Sequence, residues 1–227
     1  MEKIPAFDVV ITGEMPLLMH HDSIEGREEV QGWIRDPANK KKSVKGDDRT
    51  PPWTWRTYLY TDGKHVTMLS DNVRRVMSQG ATDVLVGKGQ KTWKEESVSR
   101  TQFPSEHLKF EYTDNPDDGW RQASMVQIMT VANMPLFSDQ CAAAKKLGFV
   151  LDCRPVRVGT TKHIRVRPKF AFWRISFVLR ALDERITRNV VQQWFDVAGK
   201  KGLCDNRPSS PKTPGYFGTF RTVVEEV

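Results

Sequence analysis

Residues 154–174 read RPVRVGTTKHIRVRPKFAFWR. Val156, Val158, Ile164, Val166, Phe170, Phe172 and Trp173 largely alternate there with Arg154, Arg157, Lys162, Arg165, Arg167, Lys169 and Arg174. A period of two predicts β-strands with one apolar and one basic face, and Gly159, Thr160 and Thr161 supply the turn between them. No acidic residue interrupts the stretch. Its seven cations match the whole net charge of the 227-residue chain, +7 from 35 basic and 28 acidic residues. A basic sheet face that carries aromatic rings can neutralise phosphates while stacking bases, which is what a single nucleic-acid strand requires. Arg154, Arg157, Lys162, Arg165, Arg167 and Lys169 are the candidate phosphate contacts, and Phe170, Trp173 and Tyr216 the candidate stacking surfaces. The competing reading is an ordinary hairpin with a solvated outer face.

Towards the C-terminus the strand pattern continues through Ile175, Phe177 and Leu179. Thr187 then caps a helix whose Val190, Val191, Trp194, Phe195 and Ala198 form one stripe, and Gly202 stops it. A last strand is expected over Tyr216 to Val224. Towards the N-terminus, Ala6 to Thr12 reads as a first strand, Ser70 as the cap of a helix bearing Val73, Val76 and Met77, and Lys91 to Val98 as a short helix. Leu108, Phe110 and Tyr112 mark a half-buried strand, and Cys141 to Leu147 another short helix. Between Asp22 and Gly63 there is little sustained periodicity, so a long, partly mobile insertion is expected, with a strand at Trp53, Trp55, Tyr58 and Tyr60 and a basic run at Lys40, Lys41, Lys42 and Lys45. The sum is an α+β chain: a ferredoxin-like, RRM-like β-α-β-β-α-β sheet with helices on one face and the other face free to bind. It is expected to be one domain over residues 1–227, with a large insertion after the first strand, about 23–63, and a second at about 123–148.

Several classes are set aside. The longest charge-free stretch, Gln122 to Ser138, holds Gln, Ser, Thr, Asn and Pro, unlike a membrane span. Glu2 and Asp8 break the basic start and apolar run of a signal peptide, so a cytoplasmic protein is expected, in a bacterium or a phage-infected host. Cys141, Cys153 and Cys204 are odd in number and far apart, which argues against a disulfide framework or a zinc site, and no other metal or cofactor motif is seen. Gly87 to Thr92 lacks the first glycine of a phosphate-binding loop. The residues Lys200 to Arg221 combine Gly202, Gly215 and Gly218 with Lys200, Lys201, Arg207 and Lys212, so the backbone there can approach a phosphate, or merely form a helix-to-strand loop. The most enzyme-like cluster is His20, His21 and Asp22, which could do acid and base work in metal-free RNA cleavage, although a polar strand exit with one histidine hydrogen-bonded and one solvated is the better account of it.

The segments VVITGEMPLLMHHD, SDNVRRVM, RPVRV, HIRVRPKFAFWRISF and GLCDNRP…GYFGTFRTVVEE together resemble the RAMP superfamily, the RRM-like backbone subunits of CRISPR effector complexes, and phage proteins of the same pattern. The resemblance spans both ends and about half the chain. It implies single-stranded RNA, ahead of DNA, held without base specificity by the sheet and by a glycine-rich loop, here Gly215, Tyr216, Phe217 and Gly218. It also implies a thumb, matched by the lysine-rich insertion, and copies of itself or related subunits as partners along the strand. An unbroken sheet edge would suit such head-to-tail assembly. Two alternatives accompany this reading: a metal-independent endoribonuclease using His20, His21 or Asp22, and a phage protein that binds or inhibits a host nucleic-acid complex.

Overall fold

A computed structural model describes residues 4–211 and 214–227; Lys212 of the glycine-rich loop lies outside the described residues. The protein is mixed α+β with antiparallel sheets. It divides into two compact units, where one domain with insertions was expected. The first comprises Met1–Leu17, Thr67–Gln122 and Ala171–Val227, and the second Leu18–Val66 and Ala123–Phe170.

The first unit contains β1 (Ala6–Gly13), β3 (Thr67–Leu69), α2 (Ser70–Ala81), α3 (Lys94–Ser99), β4 (Thr101–Gln102), β5 (His107–Thr113), β8 (Phe172–Ala181), α6 (Arg188–Lys201) and β9 (Phe220–Glu226). Its strands run in the order β3-β5-β8-β1-β9, with β4 also on β8, and every pairing is antiparallel. Alternation sets the faces. Phe7, Val9 and Ile11 of β1 lie on the same side as Ile175, Phe177 and Leu179 of β8 and Val224 of β9, all buried. Helix α6 covers that side, its Phe195 ring 6.0 Å from Phe177. Thr187 caps α6 by accepting from the Val190 amide, and Gly202 ends it at a φ of 77° that favours glycine. Ser70, expected as a cap, is instead the first residue of α2, with Leu69 at the cap position.

The second unit contains β2 (Leu17–Leu18), whose Leu18 opens the unit, α1 (Ile24–Arg35), α4 (Met125–Ala132), α5 (Phe137–Lys146), β6 (Val150–Val158) and β7 (Thr161–Phe170). Its sheet has the order β2-β7-β6. The basic hairpin therefore belongs to this smaller sheet, and only its continuation from Phe172 enters the larger one. The aromatic run at 53–60 forms a 3-10 turn, Thr54–Tyr58, not a strand: Thr54 N donates to the Pro51 carbonyl, which starts the turn. It drives Trp55 into the core, where Nε1 donates to Gln140 Oε1 at 2.6 Å and the ring meets Phe149. The insertion expected to be partly mobile carries α1, capped by Ser23, whose Oγ accepts from Gly26 N at 3.0 Å. Its sparse apolar residues hid it. Among the described residues no helix is long and apolar enough to cross a membrane.

Candidate nucleic-acid interface

The hairpin register sets Arg154 opposite Arg165 and Arg157 opposite Lys162. Most of its cations already have protein partners. Asp152, buried on β6, accepts from Arg154 and lies 3.2 Å from Lys169 Nζ. Burial works against the Asp152 charge, and these two cations outweigh it and hold the carboxyl below the usual carboxylate range. Arg165 Nη1 donates to Asp48 Oδ1 at 2.7 Å. Arg167 is 8% exposed. Arg174, in the first unit, donates from Nε to Glu111 at 2.8 Å and lies over the Trp120 ring. The uniform basic face read from the sequence is thus largely neutralised by carboxylates from Asp48, Glu111 and Asp152. Only Arg157 and Lys162, at the end of the hairpin, are exposed and in no ion pair among the described residues.

A second set of cations joins them. After α1 and the 3-10 turn Pro37–Asn39, the chain exposes Lys40, Lys41, Lys42 and Lys45 in a loop closed by Thr50, whose Oγ1 accepts from Val44 N at 3.0 Å. The next residue, Gly46, has φ +78° and lies so close to β7 that a Cβ would stand 2.4 Å from His163 Nδ1. Ile164 N donates to the Gly46 carbonyl at 2.8 Å and Asp48 N to the Ile164 carbonyl at 3.0 Å. Residues 46–48 thus run alongside β7 as a short parallel rung, with Asp47 bridged to Ile164. This pairing sets Gly46, the residue after Lys45, against His163, the residue after Lys162, which lies opposite Arg157. The end of the lysine-rich insertion, separate from the hairpin in the sequence, is thus held against the strand that carries Lys162.

The proposed stacking residues divide. Phe170 and Trp173 are 0% exposed and have no ring face for a base. Phe170 packs on Phe149, and Trp173 donates from Nε1 to the Met15 carbonyl at 2.9 Å. Tyr216 is 55% exposed and stacks on Phe217, itself buried. The glycine-rich loop approaches its own chain: a Cβ on Gly215 would stand 1.9 Å from the Asn206 carbonyl oxygen, and one on Gly218 2.0 Å from that of Leu203. Those glycines are needed for packing, which removes the reason to assign them to phosphate.

His20, His21 and Asp22 open onto one cleft of about 610 Å³ within the second unit. One wall is α1, through Ser23, Gly26, Arg27, Val30 and Gln31; the other is the Thr54–Tyr58 turn. Gly26 lets the walls approach, since a Cβ there would meet Thr57 Cβ at 2.7 Å. Asp22 forks Arg27 at the surface, and that hydrogen bond holds its carboxyl below the usual range. Asp48 is 6% exposed and accepts from three donors, Arg165 Nη1, the Tyr58 hydroxyl at 2.9 Å and Val166 N at 3.2 Å. Burial and the Asp48 charge push the Tyr58 phenol well above the usual tyrosine range, so it remains a donor. Asp48, Arg27 and Thr57 were not singled out in the sequence and Tyr58 was read only as part of an expected strand, and no spacing signal could have brought them together. Asp48 and Arg165 are 117 residues apart. Among the described residues no group of three His, Cys, Asp or Glu is placed to hold a metal ion. No protein-family model matches the chain, and no curated protein does either.

Proposed function

We propose that this chain binds single-stranded nucleic acid, RNA ahead of DNA, as a RAMP-type backbone subunit of a CRISPR-like or phage ribonucleoprotein. The observation that carries this reading is that the loop exposing Lys40, Lys41, Lys42 and Lys45 is tied at Gly46 to the strand carrying Lys162, opposite Arg157, and none of these six cations is in an ion pair among the described residues. Cations not already paired are the ones that release counterions from a phosphate backbone. The reading also takes the first unit as a ferredoxin-like sheet. Supporting this, β1, β5, β8 and β9 follow the β-α-β-β-α-β succession with α2 and α6, and stand in the order β5-β8-β1-β9. The test is titration of a labelled oligouridine with the parent and with a variant carrying glutamine at the six basic positions. Affinity should fall for all sequences alike, and the slope of log affinity against log salt should shrink by about 0.7 for each phosphate that is no longer neutralised. An unchanged slope in the folded variant would end this reading.

A second reading, a metal-independent endoribonuclease, is favoured by one observation: His20, His21 and Asp22 share a cleft with Arg27 and Arg165. Imidazoles beside guanidinium groups suit proton transfer at a phosphodiester. Cleavage of RNA that survives chelator and is abolished in a His20→Ala, His21→Ala variant would establish it.

A further inference from the structure

Helix α6 covers one side of the larger sheet, the side of Phe177. Alternation puts Asp8, Val10 and Thr12 of β1, Arg174, Ser176 and Val178 of β8, and Arg221, Val223 and Glu225 of β9 on the other side, all of them half-buried or exposed. The register sets Asp8 between Val178 and Glu225, Val10 between Ser176 and Val223, and Thr12 between Arg174 and Arg221. Val223 is 53% exposed, and Phe172, further along the same side of β8, is 40% exposed. Asp8 and Glu225 are exposed and directly opposite each other, a pairing of like charges that weakens a sheet. Among the described residues neither is in an ion pair, and neither is Arg221 at the other end of the β9 row. The two carboxylates repel a phosphate backbone, so this face does not suit a nucleic-acid strand. Along β9 the row reads cation, valine, carboxylate, which is complementary to itself when reversed. Consider two sheets packed face to face about 10 Å apart, related by a two-fold axis that runs across the strands over the Val10 and Val223 row. Arg221 of each copy then meets Glu225 of the other, Thr12 meets Asp8, and Val10 and Val223 meet their own counterparts. On β8 the same axis, passing over Ser176, sets exposed Arg180 against Phe172 of the second copy. The cations that gain no carboxylate in this arrangement, Arg174 and Lys109, already have Glu111.

We propose that this face joins two copies of the chain, with Val10 and Val223 at the centre of the interface and Arg221–Glu225 pairs at its rim. The inference uses the larger sheet alone and does not rest on the nucleic-acid reading. Sedimentation velocity of the full chain over micromolar concentrations should show a monomer–dimer equilibrium. Arg221→Glu and Glu225→Arg, each alone, should weaken the dimer about tenfold, because each turns two attractions into two repulsions. An equimolar mixture of the two variants should dimerise at least as well as the parent, since every rim pair is then attractive, and a chain carrying both substitutions should regain the dimer as well. Both side chains are exposed, so the thermal midpoints should stay with the parent's. Val223→Lys is the second probe: it puts like charges face to face on the axis and should abolish the dimer. A parent that sediments as a monomer at every concentration overturns the proposal. So does a dimer indifferent to the single reversals and to Val223→Lys, and so do single reversals whose effect is not recovered in the mixture.

Discussion

Gln192 of α6 stands where a neighbouring strand would stand beside Val224 of β9, its Oε1 accepting from the Val224 amide at 3.1 Å. Its Nε2 donates to the Thr222 carbonyl at 2.9 Å, and Arg188 Nε donates to the Val224 carbonyl at 2.7 Å. The β9 edge of the larger sheet is therefore occupied at Thr222 and Val224 by side chains, so that edge is not the unbroken one expected for subunit addition. Edge strands left bare recruit other chains. Replacing Gln192 with alanine removes three hydrogen bonds, one to exposed Asp196 and two to the β9 backbone, which should cost about 1–3 kcal/mol, and should raise self-association with concentration. Sedimentation checks the second effect, and a variant that associates no further than the parent would show that the cap has no such role.

Gly80 of α2 lies against α6 so closely that a Cβ would stand 2.1 Å from the Trp194 carbonyl oxygen. Gly80→Ala must push the helices apart, and should destabilise the fold by about 1–3 kcal/mol. Gly32 is the control. A Cβ there meets nothing within 4 Å and the residue is helical, so Gly32→Ala should stabilise by about 0.4–1 kcal/mol. Urea midpoints of the two variants should move in opposite directions.

Acid should act through paired carboxylates. Burial opposes the charges of Asp152 and Glu111, but Arg154 with Lys169, and Arg174 with Lys109, hold both carboxyls below their usual values. A depressed folded pKa means that the stabilisation is complete above the unfolded value and disappears as pH falls through the folded one. Stability should therefore decline below roughly pH 4, and less steeply in Asp152→Asn, which is weaker at neutral pH.

Alkali acts with the opposite sign. Burial pushes the Tyr112 phenol up to about 12, so its contribution is present below the unfolded tyrosine value, about 10, and disappears as pH rises towards the folded one. Tyr112→Phe should flatten the alkaline limb of the stability profile. An unchanged limb would assign it to another group.

The three cysteines should differ in reactivity. Cys153 is exposed on β6, while burial pushes the Cys204 thiol up to about 12, its Sγ 3.9 Å from Met68 Sδ. Thiolate is the reactive form. Alkylation followed by mass spectrometry should label Cys153 first and Cys204 last.

Where local signals were strong, the sequence was legible. Alternation located β1, β5 and β8, and a threonine cap with a glycine stop located α6. It was silent on α1, which presents two glycines and few apolar residues because one side of it faces a cleft instead of a core. The charge pattern of the hairpin misled for a different reason. The carboxylates that neutralise it include Asp48 and Glu111, far away in the chain, and one-dimensional charge counting cannot see partners brought in by the fold. The same blindness applied to Phe170 and Trp173, whose alternation was real but whose side of the strand is the core.

The second unit is built from two stretches of chain, Leu18–Val66 and Ala123–Phe170, with the middle stretch of the first unit, Thr67–Gln122, written between them. On a ribosome this ordering becomes a delay. Asp48 emerges 117 residues before Arg165, which at typical synthesis rates is on the order of ten seconds. Through that interval the lysine loop has no β7 to pair with, and the nascent chain carries its basic run in the presence of messenger and ribosomal RNA. Folding of the hairpin is then the event that gives residues 46–48 the strand they pair with and Asp48 its guanidinium.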